Sequence, residues 1–205
     1  MNRTVHDLLN QMNRKDLITR MAFQCAPVIA GVKVSNLLAI PSIHDEQVGE
    51  ILAGTGLSCR KLAEDRGRSI FLLYREKELA GWIQDRNNQT ILAEAGMEGL
   101  ALDSVLNKLS DRCRAYVLEG SNYPHEIGVL LGYPPEDVKG FVVNKGRNCL
   151  TCGYWKVYGD PESARKRFKV FDLAREKVLS CLSEGMPLRT LIFGVEEELK
   201  SVHAA

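Results

Sequence analysis

SIFLLYR, residues 69–75, is the stretch of the sequence that decides the fold. It is a short, continuous apolar run, which is typical of a strand buried in the middle of a sheet. A second buried strand is predicted within residues 32–40, where apolar residues lie between Gly31 and Pro41. These two segments predict a small sheet.

Helical patterns flank these strands on both sides. Residues 4–23 carry apolar positions at helical spacing, interrupted near Asn13, which predicts two short helices or one kinked helix. Further helices are predicted over 45–52, in three segments between 76 and 115, and over 161–185. The last of these has the clearest start, because Asp160 can cap it and Pro161 suits the first helical position.

The elements together predict a mainly helical α+β fold, a single domain with a small central sheet. The segment GYWKVYG, residues 153–159, predicts one more short strand with aromatic residues at alternate positions. We expect residues 1–185 to form the domain and residues 186–205 to form a C-terminal helical extension or tail. No internal repeat or long linker divides the sequence.

Composition and charge exclude several classes of protein. The 205 residues include 45% apolar and 26% charged residues, which is ordinary for a folded protein and argues against disorder and coiled coils. With 27 basic and 26 acidic residues interspersed, no single-sign field predicts binding to nucleic acid or an anionic membrane. No apolar run approaches the ~20 residues of a bilayer span, and the N-terminus lacks a signal-peptide core. A cytoplasmic location is therefore expected.

Six cysteines without an export signal predict reduced thiols rather than a disulfide framework. Two of them form a CxxC pair, Cys149 and Cys152, of the kind that serves redox chemistry, zinc or iron–sulfur clusters. The sequence offers no second pair to complete a zinc site, and a thioredoxin-like site would follow a strand rather than precede one. We therefore expect the CxxC pair to have a structural role.

The stretch SNYPHE, residues 121–126, places a histidine and a glutamate directly after Pro124. If Pro124 begins a helix, His125 and Glu126 lie beside its free backbone N–H groups, which stabilise a carboxylate and disfavour a protonated imidazole. A neutral His125 could then act as a general base or as a metal or haem ligand. In the structural alternative, Glu126 only caps the turn and His125 packs against a neighbouring tyrosine.

Cys25 is the candidate nucleophile. Pro27 biases Ala26 away from helical geometry, which predicts that Cys25 lies at a chain corner, where its sulfur can be exposed. If Pro27 opens a helical turn, the N–H groups of that turn would lower the pKa of the thiol. The apolar residues on both sides of Cys25 favour the alternative, a cysteine in the core.

Three blocks of the sequence carry a family resemblance: QCAPVIAGVKVSNLL at 24–38, YPHEIGVLLGYPPEDVKGF at 123–141 and CGYWKVYGDPESA at 152–164. They resemble the domain-of-unknown-function family 3793, whose members are bacterial proteins found mainly in anaerobes. Its blocks usually read like CAPTxAGxKPANL, PHEIGxFLGYPxxDVxGF and GYWKVYGD. Val34 and Ser35 stand where the family tends to have Pro and Ala. The resemblance implies that Cys25, Lys33, the pair His125 and Glu126, and the aromatic block belong to the family motif, whereas Cys149 does not clearly belong.

Two functional hypotheses use these residues. In the first, the protein is a thiol-dependent hydrolase or transferase with Cys25 as nucleophile, His125 as its base and Glu126 orienting the imidazole. The substrate, an unidentified small molecule or protein, would be held by three further residues, Lys33, Tyr154 and Trp155. In the second, Cys25 and His125 bind iron, haem or another metal.

The third alternative is an interaction protein without catalysis, whose aromatic block lies in the core or at a partner surface.

Overall fold

The computed structural model describes residues 3–192, with side chains from residue 5 onward. The described residues form two compact units, the first containing residues 3–76 and 170–192 and the second containing residues 77–169. Residues 193–205 lie outside the described residues, and most of the predicted C-terminal extension lies there with them. The described helices and strands, in chain order, are α1 (Arg3–Gln11), α2 (Leu17–Ile29), β1 (Ser35–Pro41), α3 (Asp45–Leu52), β2 (Leu57–Asp65), β3 (Arg68–Arg75), α4 (Glu76–Ile83), α5 (Arg86–Glu94), α6 (Leu102–Glu119), α7 (Ile127–Leu130), α8 (Pro135–Val143), β4 (Thr151–Cys152), β5 (Lys156–Val157) and α9 (Pro161–Ser183).

The first unit is built on a three-stranded antiparallel sheet with the order β1-β3-β2. The strand β3 lies in the centre and pairs with both neighbours, so that Leu72 is opposite Leu37 on β1 and Arg60 on β2. This confirms the position predicted from SIFLLYR. A register shift between Lys61 and Ala63 marks a β-bulge in β2.

Helices α1, α2 and α3 and the C-terminal half of α9 supply the apolar side chains that pack with the sheet in the first unit. The largest fully buried side chains of this core include Met21, Ile29, Leu38 and Ile40. Burying each such side chain contributes roughly 1.5–3 kcal/mol before the entropy of ordering is subtracted. This burial of several large side chains is the main source of stability for the first unit.

Helix α2 continues through Pro27, contrary to the chain corner predicted around Cys25. Proline has no N–H group, so the carbonyl of Phe23 loses its usual helical donor. The Nε of Arg175 donates to that carbonyl at 3.2 Å and replaces the missing bond. Because this partner comes from α9, far away in sequence, no local pattern could have predicted that the helix would tolerate Pro27.

The second unit is formed by the helices α4 to α8, the two-stranded β4-β5 ribbon and the N-terminal half of α9. Its core includes Leu92, Leu106 and Val129, all fully or almost fully buried. The indole N–H of Trp82 donates to the carbonyl of Val129 at 2.8 Å and ties α4 to α7. Three helical segments between 76 and 115 were predicted, and α4, α5 and α6 confirm them.

One strand prediction needs correction, and one strand was not predicted. The segment GYWKVYG forms only the two-residue strand β5, paired with β4, and the backbone N–H groups of Tyr158 and Gly159 donate to the Asp137 side chain instead of to a strand. In addition, the sequence does not predict β2, whose residues LSCRKLAED are largely polar. An edge strand pairs with a neighbour on one side only. It can contain few apolar residues when its partner, here β3, supplies most of the buried side chains. The overall class, mainly helical α+β with a small antiparallel sheet, is confirmed.

Candidate functional site

A cavity of about 300 Å³ opens in the second unit around His125. Helices α5, α6 and α8 and the segment before α7 line it. The lining residues are Ile91, Glu94, Ala95, Arg112, Asn122, Tyr123, His125, Glu126 and Val142. The cavity therefore brings together two residues predicted from the sequence, His125 and Glu126, with polar side chains from other helices.

The local chain explains how His125 and Glu126 reach the cavity. Residues 125 and 126 form a turn, and the helix begins only at Ile127, so Pro124 does not occupy the first helical turn as predicted. The short helix α7 is followed by Gly132, whose φ of 70° is the left-handed conformation that glycine adopts without strain. The tight turns on both sides of α7 hold its side chains in fixed directions.

Glu126 does not cap the helix. Its carboxylate makes no capping hydrogen bond and is instead paired with the guanidinium of Arg112 on α6. The Nε of Arg112 donates to Oε1, and its Nη2 donates to Oε2 at 3.4 Å. The Glu126 side chain is only 4% exposed, whereas that of Arg112 is 42% exposed. A buried carboxylate is thus neutralised by a cation that reaches the cavity and the solvent.

Tyr123 and His125, which line the cavity, belong to a row of four rings. Tyr116 and Tyr123 meet edge to face with centroids 5.2 Å apart, and His125 lies 5.3 Å from Tyr123 and 5.6 Å from Phe141. The ammonium group of Lys156 lies 5.9 Å from the centroid of Phe141. Partial burial raises the pKa of Tyr123, which keeps its phenol protonated as a hydrogen-bond donor. Tyr123 and His125 thus form an aromatic wall of the cavity, and Tyr116 and Phe141 pack against these two rings.

The charges at the cavity do not cancel. Glu94 and Glu126 carry two negative charges, and Arg112 carries one positive charge that is already paired with Glu126. Among Glu94, Glu126 and Arg112, one net negative charge remains. Such a site favours a neutral or cationic ligand over an anionic one.

Trp155 and Tyr154, predicted to hold a substrate, belong to an aromatic cluster of the second unit. The Trp155 ring stacks on Tyr133 with centroids 5.0 Å apart and meets Phe168 edge to face at 4.6 Å. Tyr154 lies 5.7 Å from Phe168. Because Trp155 is buried, its role in this cluster is packing.

Asp137 holds this cluster in place and was not identified from the sequence. Its Oδ2 accepts from the indole of Trp155 at 2.6 Å, and its Oδ1 accepts from the backbone N–H groups of Tyr158 and Gly159 at 2.7 and 2.8 Å. The carboxylate is 3% exposed. These bonds join the EDV sequence of α8 to the GYWKVYGD block, so two family blocks form one structural unit.

Glycines in the same blocks serve close packing. A Cβ at Gly140 would lie 2.3 Å from the Cβ of Tyr158, and one at Gly153 would lie 2.3 Å from the ring of Phe168. Any larger residue would push these elements apart. Much of the motif is therefore explained by the fold of the second unit.

Cys25 and Lys33 belong to the first unit, whereas His125 and Glu126 belong to the second. Cys25 is fully buried inside α2, and its thiol donates to the carbonyl of Leu37 at 3.6 Å. Burial raises the pKa of the thiol to about 12, although the charge of Lys33 partly opposes the shift. At neutral pH the thiol is protonated, which is the inert form.

Lys33 is also buried, and its ammonium group donates to the carbonyl of Ser35 at 2.7 Å. Burial lowers the pKa of Lys33 to about 7, with a smaller opposing effect from Cys25. Cys25 and Lys33 are thus close enough for the charge of each to affect the pKa of the other. The neutral form of the amine is accessible near neutral pH, although the side chain has little exposure to a substrate.

The CxxC pair lies in the second unit, with Cys149 partly buried and Cys152 exposed at the end of β4. All six cysteines are free thiols. Within residues 3–192, no three histidine, cysteine or acidic side chains come together in a way that could hold a metal ion.

The fold and the cavity define a mainly helical α+β protein with a small-molecule-sized site in its second unit. A family model described as "Protein of unknown function (DUF3793)" matches residues 21–192, and the chain belongs to that family. Searches of curated proteins and of solved structures found no match. Among the helices of the described chain, none has the length and hydropathy that a bilayer span requires.

Arg112, Glu94 and Asp137 are the residues of these sites that sequence reasoning missed. Arg112 precedes Glu126 by 14 residues, so no helical or strand spacing links the two. Asp137 reads as an ordinary acidic residue in the first turn of a helix. The partners of Arg112 and Asp137 become visible only in the folded structure, where α6 and α8 pack.

Proposed function

We propose that the second unit is a binding module for a small planar molecule that carries a cationic or hydrogen-bond-donating group. The observation that carries this proposal is the cavity at His125, which combines an aromatic wall with one net negative charge. Its volume of about 300 Å³ is at the lower end of ordinary ligand sites. A ligand of roughly ten heavy atoms therefore fits.

Each part of the cavity has a role in this proposal. The exposed ring of Tyr123 offers its face to a planar group and attracts a cation through its quadrupole. His125 offers a ring nitrogen for a hydrogen bond, and Glu94 attracts a positive charge. The ion pair between the buried Glu126 and the half-exposed Arg112 holds this part of the cavity lining in a fixed geometry.

The thiol-enzyme hypothesis and the metal hypothesis stay predictions, and they receive less support. Both require Cys25 as an accessible thiolate, and the thiol is fully buried with a raised pKa. Alkylation of the reduced protein followed by mass spectrometry tests them: we expect Cys152 to react quickly and Cys25 only after unfolding. Fast labelling of Cys25 that is lost in His125→Ala would restore the enzyme hypothesis. A cytoplasmic location likewise stays a prediction, based on the reduced thiols.

A matched pair of ligands tests the binding proposal. Tyramine and 4-hydroxyphenylacetate share one ring but carry opposite charges. In a titration followed by NMR, we expect tyramine to shift the amide signals of Tyr123, His125 and Glu126 with a dissociation constant of ~1 mM. The anionic analogue should bind about fivefold more weakly, because the cavity carries a negative charge.

Two variants separate this site from nonspecific attraction. Glu94→Gln removes the exposed carboxylate at the cavity and should weaken tyramine binding about threefold. Glu98→Gln removes the same charge from an exposed position that does not line the cavity, and should leave the affinity unchanged. Tighter binding of the anionic analogue, or equal effects of the two variants, would contradict the proposal.

A further inference from the structure

A second cavity, of about 320 Å³, lies within the first unit and has the opposite charge. Three arginines line it, from three places in the chain. Arg14 comes from the turn between α1 and α2, Arg20 from the first turns of α2 and Arg68 from the start of β3. Three guanidinium groups around one small cavity repel each other unless an anion lies between them.

Arg14 is held in place by its own segment. Its Nε donates to the carbonyl of Leu9 at 3.3 Å, and its Nη2 donates to the side-chain oxygen of Asn10. Neither partner carries a charge. The geometry of Arg14 is therefore fixed while its positive charge remains unneutralised.

Arg20 gives the strongest indication of a ligand. Its Nε is buried and has no hydrogen-bond partner. A buried N–H without an acceptor costs about 1–3 kcal/mol, and more for a charged group, so such groups call for an explanation. Arg20 also lines the cavity, and we expect its terminal N–H groups to donate to an acceptor bound there.

No carboxylate within residues 3–192 forms an ion pair with Arg14, Arg20 or Arg68. The nearby carboxylate of Asp16 caps α2, where it accepts from the backbone N–H of Thr19 at 2.9 Å and from its hydroxyl at 3.2 Å. The first turn of α2 contains no acidic residue. The three positive charges are thus available to an external anion.

The remaining wall is apolar or already bonded. Gln24 exchanges two hydrogen bonds with the backbone of Ala39, at 2.9 and 3.2 Å. Leu9 and Phe23 provide apolar surface. Recognition of a polar ligand therefore falls to the guanidinium groups, whose planar forks match phosphate oxygens in bidentate geometry.

We propose that this cavity binds a small molecule carrying phosphate groups, held by Arg14, Arg20 and Arg68, with its uncharged part against Leu9 and Phe23. Pyrophosphate supplies the phosphate chemistry alone, and adenosine diphosphate adds an organic group. Sulfate serves as the control for simple anion attraction. All three are compared by calorimetry at one ionic strength, because surface electrostatics are screened by salt.

We expect pyrophosphate to bind about tenfold or more tightly than sulfate, because two phosphate groups can engage more than one arginine. Tighter binding of adenosine diphosphate would mean that the apolar wall contributes, and weaker binding would limit the site to inorganic phosphates. A single-stranded oligonucleotide that binds more tightly than either would overturn the small-molecule assignment.

Variants of the arginines complete the test. Arg20→Gln should weaken pyrophosphate binding about tenfold, and Arg20→Lys, which keeps the charge but loses the fork, should weaken it less. Arg66→Gln is the matched control, since Arg66 is exposed, belongs to the same unit and does not line the cavity. Thermal unfolding without ligand verifies that each variant is folded. If Arg20→Gln and Arg66→Gln weaken binding equally, or if sulfate binds as well as pyrophosphate, the assignment is wrong.

Discussion

The two cavities differ in whether their charged side chains have hydrogen-bond and ion-pair partners within the protein. At His125 in the second unit, the buried carboxylate of Glu126 is paired with Arg112. In the arginine-lined cavity of the first unit, the buried Nε of Arg20 has no partner. A paired charge is part of the fold, whereas an unpaired charge at a cavity indicates what the fold is prepared to bind.

Arginines in the first unit show the same contrast at close range. Arg75, which is almost fully buried, donates from Nε to the carbonyl of Val28 at 3.0 Å and from Nη2 to that of Ile29 at 3.1 Å. It thereby satisfies the carbonyls at the end of α2. Arg75 therefore stabilises one end of α2, whereas Arg20, near the start of the helix, lines a cavity.

The largest effect should come from breaking a fully bonded charge. Asp137→Ala removes the acceptor of three hydrogen bonds and leaves the Trp155 indole and two backbone N–H groups unpaired. We expect a loss of about 3–5 kcal/mol in the free energy of unfolding, measured with urea. Glu136→Ala alters the neighbouring exposed carboxylate and should change the value by less than about 1 kcal/mol. Similar values for both variants would contradict the role given to Asp137.

Packing provides the next effect. Gly140→Ala places a methyl group against Tyr158 and should destabilise the protein by about 2–3 kcal/mol. Gly49→Ala, in α3 of the first unit, meets nothing within 4 Å and should stabilise the protein by up to about 1 kcal/mol. Opposite signs in thermal unfolding are expected. If Gly140→Ala left the thermal stability unchanged, α8 and the GYWKVYGD block would not be tightly packed.

Lys33 predicts a dependence of stability on pH. Its pKa is about 7 in the folded protein and ordinarily 10.5, so between these values the unfolded state binds more protons. The free energy of unfolding should therefore rise with pH, by about 2 kcal/mol between pH 7 and pH 9. Well below pH 7, Lys33 is protonated in both states, and this contribution does not change.

Lys33→Met should abolish that rise, as measured by urea unfolding at several pH values. Lys15→Met, at an exposed position of the same unit, should retain it. Above about pH 9, Cys25 acts in the opposite direction, because its raised pKa keeps the folded thiol protonated while the unfolded thiol ionises. A slope that survives in Lys33→Met would assign the titration to another group.

The smallest effect concerns the ion pair at the cavity. Glu126→Gln leaves Arg112 without its charged partner, but the guanidinium is 42% exposed and water can solvate it. We expect a loss of about 1–2 kcal/mol in urea unfolding. The variant also removes the net negative charge of the cavity, so the preference for tyramine over 4-hydroxyphenylacetate should decrease. If the preference for tyramine were unchanged, the charge of the cavity would not be what selects the ligand.

Much of the fold could be predicted because its signals are local. SIFLLYR predicts the central strand, and the helical spacing over 45–52 predicts α3 with its observed bounds. The predictions around Pro27 and β2 were wrong or absent because distant partners decide those structures, Arg175 in one case and β3 in the other.

The candidate sites were less predictable for the same reason. His125 and Glu126 are adjacent in sequence and were identified together, whereas Arg112 reaches them only through the fold. The arginine-lined cavity has no sequence signature, since Arg14, Arg20 and Arg68 are scattered among acidic residues in a chain of net charge +1. Charge balance over the whole chain conceals such a local cluster.

The most direct test of two independent sites with opposite charge preference is one calorimetric comparison. Wild type, Arg20→Gln and Glu94→Gln are each titrated with pyrophosphate and with tyramine. We predict that Arg20→Gln weakens pyrophosphate about tenfold and leaves tyramine unchanged, and that Glu94→Gln weakens tyramine about threefold and leaves pyrophosphate unchanged. Loss of both ligands in one variant, or binding of neither ligand to the wild type, would contradict the account.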